Sequence, residues 1–209
     1  MPVCKKCFKP IKDNSLFNLL NNPHACTQCF QEIRPHFTHF KINEIDAYSI
    51  YDYNQQIQSL LYQLKGCYDI EISDLFLERY KRELFLFFLG YKMVPIPSYE
   101  PEDRKREFNH VIEIFKSLKL PMLKVLKKTK KYKQANNTKK QRSEIEKYLT
   151  FTGQKKDIYN QKILLIDDVY TTGSTMKAVI KIIKQFNPKT IKVLVMSKTV
   201  FKPDKLITI

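Results

Sequence analysis

The chain has 209 residues, of which 43% are hydrophobic, and a formal net charge of +16 at pH 7. No internal repeat and no long Gly-, Pro- or Ser-rich linker divides it, so its length favours one main α/β domain with a small appendage. The longest apolar run, at 84–89, is far too short to cross a bilayer and follows several charged residues. It predicts a buried amphipathic helix in a soluble, cytoplasmic protein without a transmembrane segment.

The first chemical motif along the chain is a pair of Cys-x2-Cys knuckles. Eighteen residues separate the two knuckles, a spacing suited to one tetrahedral Zn²⁺ ion. Two disulfides are the alternative, but the segment shows no signal peptide or other sign of secretion, so we expect reduced thiols. The predicted metal ligands are Cys4, Cys7, Cys26 and Cys29, whereas His24 is expected to be a neighbour of the site and Cys67 stands outside it.

We expect this zinc ion to be structural, because four thiolates close the coordination shell and leave no position for water. Residues 1–40 contain too few apolar side chains for a core of their own. Metal binding, worth roughly 10–16 kcal/mol in finger peptides at neutral pH, is therefore expected to order them. The sequence predicts a zinc-binding module at 1–40 and a second domain at 41–209.

Hydrophobic periodicity predicts alternating strands and helices after the cysteines. The expected strands lie at 46–53, 92–97, 163–168 and 191–196, and the expected helices at 54–65, 70–89, 109–118, 143–149 and 176–186. A short apolar segment occupies 120–126. Strands that alternate with helices in this way indicate an α/β fold with a mostly parallel sheet.

Positive charge is concentrated in one quarter of the chain. Residues 104–156 contain seventeen Lys or Arg residues and four Asp or Glu residues, an imbalance that favours a polyanionic partner. A solvated lysine-rich surface without function is the alternative. The densest part, which we call the basic segment, is predicted to be a mobile loop that carries Lys127, Lys128, Lys130, Lys131, Tyr132, Lys133, Lys139, Lys140 and Arg142.

The most informative motif is the strand pattern that runs into Asp167 and Asp168. Four apolar residues before the pair indicate a buried parallel strand, whose carboxyl end is where open α/β sheets place ligands. A loop of small residues follows and leads directly into the predicted helix at 176–186. This loop consists of Thr171, Thr172, Gly173, Ser174 and Thr175.

The chemistry of this motif suits a ribose 5-phosphate. Hydroxyls, closely spaced backbone N–H groups and the helix dipole converge on an anion, while carboxylates accept hydrogen bonds from sugar hydroxyls and share Mg²⁺ with other oxygens. A Walker B strand is the obvious rival. It is excluded because none of the four glycines precedes a Lys, as a Gly-Lys-Ser/Thr phosphate loop requires. A helix cap without a ligand remains as the simpler interpretation.

The run from Ile163 to Thr175 resembles the phosphoribosyl-pyrophosphate (PRPP) signature of type I phosphoribosyltransferases. Within that superfamily the whole chain is similar to the ComF/ComFC competence proteins, which join a short cysteine-rich amino terminus to a phosphoribosyltransferase domain. The resemblance implies PRPP binding with Mg²⁺ at the signature. It also implies a role beside a DNA-uptake helicase, and thus a cytoplasmic protein that can be recruited to the membrane uptake machinery.

The same resemblance assigns a second part of the PRPP site. The strand at 92–97 is similar to the family segment that places a loop near the pyrophosphate, which implies contacts from Ser98, Arg104 and Arg106. The family pattern Arg-Gly-Phe-Asn-Gln is changed here, with Glu107 in place of Gly and His110 in place of Gln. A solvated helix start is the alternative for the two arginines.

Two functions from different classes fit these features. The first is a PRPP-binding competence protein that contacts single-stranded DNA through its basic segment and zinc module. The second is a salvage enzyme that transfers phosphoribose from PRPP to a nucleobase. A salvage enzyme needs neither a four-cysteine module nor the charge excess, and the sequence shows no base-specificity motif after the last strand, so the first reading is favoured.

Overall fold

A computed structural model describes residues 2–11, 24–129 and 148–199. The described strands are β1 (Thr38–Ile42), β2 (Ile45–Asp52), β3 (Lys92–Pro95), β4 (Leu126–Lys128), β5 (Leu149–Phe151), β6 (Lys162–Tyr170) and β7 (Thr190–Lys198). The described α-helices are α1 (Thr27–Glu32), α2 (Gln55–Gly66), α3 (Lys81–Phe87), α4 (Glu100–Arg106), α5 (His110–Phe115), α6 (Lys155–Ile158) and α7 (Ser174–Lys184). Two 3₁₀ helices cover Ile70–Phe76 and Lys116–Leu118.

The main sheet has five strands in the order β1-β2-β7-β6-β3. β2, β7, β6 and β3 are parallel, and β1 pairs antiparallel with β2 at one edge. The α/β fold with a mostly parallel sheet is therefore confirmed. Because the four parallel strands point the same way, the loops after β2, β3 and β6 meet at one edge of the sheet, near the acidic pair.

Both faces of the sheet are covered, as the unbroken apolar run in β6 predicts. Leu164 and Ile166 face a cluster formed with α2, the 3₁₀ helix Ile70–Phe76 and α5. Ile163 and Leu165 face the other cluster, which buries the apolar side of α7. All four side chains are fully buried. Alternate residues of β6 between Ile163 and Ile166 thus face opposite helix layers.

The predicted helix at 70–89 is wrong as a single element. The chain forms the 3₁₀ helix Ile70–Phe76, a turn, and then the seven-residue helix α3. Three consecutive residues, Leu75 to Leu77, are at most 2% exposed, and one face of an α-helix cannot bury three neighbours in sequence. The apolar run at 84–89 is also less buried than expected, since Leu86, Phe87 and Leu89 are all more than half exposed.

The carboxyl end of the helix predicted at 143–149 is wrong as well. Leu149 begins β5, which pairs antiparallel with β4 in a separate two-stranded sheet. Positions 143–147 lie outside the described residues. The Thr129 N–H donates to the Tyr148 carbonyl at 2.9 Å, so these two described residues lie side by side.

Other predicted elements are confirmed to within a few residues. β2, β3 and β7 match the strands expected at 46–53, 92–97 and 191–196, and α2, α5 and α7 match the corresponding helices. The signature strand is longer than expected: β6 continues past the acidic pair to Tyr170, because β7 runs on to Lys198 and keeps pairing with it. None of the described helices is long and apolar enough to span a membrane.

The cysteine-rich segment packs against the rest of the protein. Cys4, Ile11 and Phe30 belong to the same hydrophobic cluster as Ile50 and Phe76. Strand β1 crosses the predicted boundary at position 40. The division into 1–40 and 41–209 stays a prediction.

Candidate functional site

The loop after β6 has the backbone of an anion-binding turn. Gly173 has φ +70° and lies at the N-cap of α7. The positive φ favours glycine here, and a Cβ atom at this position would also require the Tyr170 ring to move. No side chain caps the helix among the described residues, which leaves the first-turn N–H groups open to a ligand.

The hydroxyl groups of the loop lie around this helix start. Thr171 and Thr172 are exposed, whereas Ser174 and Thr175 are half-buried. Thr172 Oγ1 and Ser174 Oγ are 3.0 Å apart and share a hydrogen bond. The five loop residues predicted from the sequence therefore line one short turn at the carboxyl edge of the sheet.

Asp168 is held by two basic side chains that the sequence did not identify. Its carboxylate is 10% exposed, forms an ion pair with Lys65 at the end of α2, and lies 3.4 Å from Nε2 of His110 at the start of α5. Burial opposes ionisation, but Lys65 and His110 outweigh it and hold the pKa of Asp168 well below its usual range. Asp168 is thus a charged, satisfied group inside the protein.

Asp167 has a different environment. Its Oδ1 accepts the backbone N–H of Asp168 at 2.9 Å. Burial and the adjacent charge of Asp168 raise the pKa of Asp167 well above its usual range. The pair is therefore split: Asp168 is neutralised by the protein, whereas Asp167 lacks a cationic side chain within ion-pair distance among the described residues.

Ser98 lies in the neighbouring loop, after β3, which pairs with β6. Its hydroxyl donates to Asp103, and Asn109 Nδ2 donates to Ser98 Oγ at 2.8 Å and to Asp103 Oδ2 at 2.7 Å. The Asn109 side chain also caps α5 by accepting the Ile112 N–H. Because His110 follows Asn109 directly, this network connects the Ser98 loop to Asp168.

The two arginines predicted near a pyrophosphate differ in exposure. The Arg106 side chain is 8% exposed and pairs with Asp103 at 2.6 Å, and its Nε is buried without a hydrogen-bond partner among the described residues. Arg104 is 78% exposed and pairs with Glu100 on the same helix. Glu107, which replaces the family glycine, keeps a left-handed backbone with φ +66°. The pyrophosphate contacts of Ser98, Arg104 and Arg106 stay predictions.

Two residues of the basic segment are described. Lys127 and Lys128 lie in β4, and the backbone of Lys128 bridges Tyr99, the residue after Ser98. The segment therefore leaves the described part of the protein beside the Ser98 loop. Lys130, Lys131, Tyr132, Lys133, Lys139, Lys140 and Arg142 lie outside the described residues.

The four predicted cysteine ligands come together. The thiol sulfurs of Cys4, Cys7, Cys26 and Cys29 all lie within 4.8 Å of one another, so they could hold a metal ion. Cys7 Sγ and Cys26 Sγ are 3.8 Å apart. This is the sulfur–sulfur distance expected when thiolates bind one metal ion tetrahedrally with metal–sulfur bonds of about 2.3 Å. His24 faces Asp74 and Glu78 and is not part of the cluster, as predicted.

The thiols of this cluster are unequal without a metal. Burial opposes ionisation of Cys4, but hydrogen bonds from the backbone of Cys26, Cys7 and Lys6 outweigh it and lower the pKa of Cys4 to about 7. Burial and hydrogen bonds to the other thiols raise the pKa of Cys29. A bound cation would deprotonate such thiols, which is the behaviour expected of a metal site.

Comparison with known proteins identifies the domain around the acidic pair. The family described as "Phosphoribosyl transferase domain" matches residues 108–205. The competence protein ComFC of Streptococcus pneumoniae is 28% identical over 144 residues, which are 69% of this chain and 64% of that protein. ComFC of Bacillus subtilis is 28% identical over 130 residues, 61% of this chain and 53% of that protein. The matches thus span less than two thirds of either relative.

Among solved structures, the chain is similar to a hypoxanthine phosphoribosyltransferase from Staphylococcus aureus, at 12% identity and a TM-score of 0.41 over 65% of this chain and 75% of that chain. A purine phosphoribosyltransferase from Pyrococcus horikoshii is 19% identical, with a TM-score of 0.36 over 63% of this chain and 78% of that chain. The chain therefore carries a phosphoribosyl transferase domain and is similar to two ComFC competence proteins.

Proposed function

We propose that the chain binds PRPP, or a related ribose 5-phosphate, at the loop after β6. One observation carries this proposal: a buried parallel strand carries Asp167 and Asp168, and the N-cap of α7, Gly173, lies five residues after Asp168 without a side-chain cap. The 5-phosphate would accept hydrogen bonds from the N–H groups and hydroxyls of residues 171–175. Asp167 would accept hydrogen bonds from the ribose hydroxyls.

The residues around the pair also fit a magnesium ion carried by PRPP. Asp167 offers carboxylate oxygen, the ligand type that Mg²⁺ prefers, whereas Asp168 is occupied by Lys65 and His110. Such an ion would neutralise charge on the pyrophosphate. The protein orients the two carboxylates itself. Lys65 and His110 hold the Asp168 side chain, and the Asp168 backbone N–H donates to the Asp167 carboxylate.

Calorimetry with PRPP and Mg²⁺ tests the site. The Asp167→Ala, Asp168→Ala double variant is expected to lose at least tenfold in affinity, because it removes the acceptors for the ribose and the cation. Glu44→Gln, which removes an exposed carboxylate from the β1–β2 turn, is expected to leave the affinity unchanged. Equal affinity of the double variant and the native protein would contradict the proposal, as would the absence of binding by both.

We further propose that the protein binds single-stranded DNA through the basic segment and serves DNA uptake in natural transformation. The charge excess in 104–156 supports this role, together with the two ComFC relatives, whose names identify them as competence proteins. A DNA-uptake helicase is the proposed protein partner, at the cytoplasmic side of the membrane uptake machinery. The metal of the four-cysteine cluster is proposed to be structural zinc.

Fluorescence anisotropy with labelled oligothymidine tests the DNA proposal. Replacing Lys127, Lys128, Lys130 and Lys131 by Gln is expected to weaken binding and to flatten the slope of log affinity against log salt, by about 0.7 for each lost phosphate contact. A matched control replaces four lysines elsewhere, Lys119, Lys155, Lys156 and Lys189. If the two quadruple variants show the same affinity and slope, the basic segment is a solvated surface and does not bind DNA.

The domain match also keeps the nucleobase transferase as a second candidate. In that case PRPP would be consumed and pyrophosphate released when the correct base is added. Release with one free base, and not with single-stranded DNA, would favour the salvage enzyme over the competence protein. Binding of PRPP without release would favour a sensing or structural role for the ligand.

A further inference from the structure

A second basic surface lies outside the basic segment, in a groove between α7 and the β1–β2 turn. The groove has a volume of about 390 Å³. Its polar and charged lining consists of Asn43, Ser174, Lys177, Lys181 and Lys184. Among the described residues no carboxylate lines it, so its charge is of one sign.

The three lysines follow one side of α7. They are spaced at i, i+4 and i+7, and all three are exposed while the opposite side of the helix is buried. At 1.5 Å of rise per residue, successive lysines are offset by about 6 and about 4.5 Å along the axis. α7 contains no acidic residue, so its exposed side presents three basic side chains in a row. A row of cationic groups along an open groove suits a polyanion with regularly spaced charges.

The groove is continuous with the loop after β6, residues 171–175. Ser174 belongs to both, and Gly173 before it lies against Tyr170. The ring of Tyr170 packs on Phe40 with centroids 5.1 Å apart, and Lys198 lies 4.3 Å over the Phe40 ring. Both aromatic rings are half-buried, so each keeps some surface for contact. Basic groups with adjacent aromatic rings are the combination that single-stranded nucleic acids use.

We infer that the groove along Lys177, Lys181 and Lys184 binds the sugar-phosphate backbone of single-stranded DNA and leads the strand towards the loop at Ser174. The inference rests on the proposed DNA-binding function but places contacts on described residues outside the basic segment. A chain of regularly spaced phosphates matches a row of lysines better than a folded acidic protein does, because each lysine meets one charge along an open groove.

Anisotropy titrations with a labelled 30-nucleotide oligothymidine at several salt concentrations test the inference. The Lys177→Gln, Lys181→Gln, Lys184→Gln variant is expected to bind at least tenfold more weakly, with a log–log slope that is flatter by about 2 if three contacts at about 0.7 each are lost. The control, Lys155→Gln, Lys156→Gln, Lys189→Gln, removes the same charge elsewhere. A third variant with arginine at positions 177, 181 and 184 is expected to restore binding.

The outcomes separate the two proposals. The inference is supported if the groove variant loses DNA affinity, the arginine variant keeps native affinity, and both melt at the native temperature. If the native protein binds DNA and the groove variant binds like the control, the groove inference is overturned and the basic segment remains. If the native protein binds no DNA, both proposals fail. If the groove variant keeps native DNA affinity but no longer binds phosphatidylglycerol vesicles, the groove binds a membrane surface and the inference is overturned.

Discussion

Replacing Cys29 with Ser is expected to abolish stoichiometric metal binding and to unfold the segment around α1. Cys29 is 4% exposed and belongs to the cluster that also holds Cys4 and Phe30, so the thiolate is lost from an enclosed site. Metal binding contributes about 10–16 kcal/mol in finger peptides, and residues 1–40 contain too few apolar side chains for a core of their own. The variant should therefore lose the metal and the local fold together.

Metal analysis of anaerobically purified protein measures the first effect, and limited proteolysis of residues 24–36 measures the second. Cys67→Ser is the matched control, because Cys67 is exposed and lies outside the cluster. It is expected to retain one metal ion and the native cleavage pattern. One metal per chain in the Cys29 variant, or disulfides in the native protein, would contradict the assignment.

Replacing Lys65 with Met is expected to destabilise the protein by about 2–3 kcal/mol at pH 7, because it leaves the buried carboxylate of Asp168 with His110 alone. The pKa of Asp168 is depressed in the folded protein. Its ionised form therefore stabilises the fold above the unfolded pKa of about 3.9, and this contribution is lost as the pH falls through the folded pKa. The difference between native protein and variant should shrink below about pH 4.

Urea unfolding at several pH values checks this result, and PRPP calorimetry provides a second readout. Lys65→Arg keeps the charge and is expected to recover most of the stability and the ligand affinity, whereas Lys92→Met removes a half-buried lysine elsewhere on the sheet. A Lys65→Met variant with native stability at pH 7 would show that the ion pair contributes little. If the Lys65→Met variant is destabilised but binds PRPP with native affinity, Lys65 stabilises the fold and does not contribute to PRPP binding.

The sequence revealed those parts of the site that depend on local spacing. The cysteine knuckles, the buried strand before Asp167 and the glycine turn are each encoded within a few residues, and the structure brings each set together. Lys65 was missed because it is 103 residues from Asp168 and carries no local signal. His110 had a weak signal, since it replaces the family glutamine, but only the fold brings it to the acidic pair.

The wrong helix at 70–89 has a different cause. Apolar periodicity suggested one continuous element, but the two ends of that stretch meet different surroundings. Its first part is docked by the cysteine-rich segment, where Lys5 pairs with Glu71 at 2.9 Å and with Asp74 at 3.1 Å, and where the His24 N–H donates to Glu78. Tertiary contacts of this kind override local propensity and cannot be read from a single sequence.

The extended stretch beside β3 has a consequence for self-association. The Met93 N–H donates to the Pro121 carbonyl at 2.7 Å, and the Leu123 N–H donates to the Met93 carbonyl at 2.8 Å, so the outer side of β3 is already occupied. Open strand edges recruit further strands and promote aggregation, whereas a proline on the covering stretch offers no donor of its own. Addition of another chain to this sheet is therefore confined to the β1 side, where His39 and Lys41 make the edge polar and discourage it.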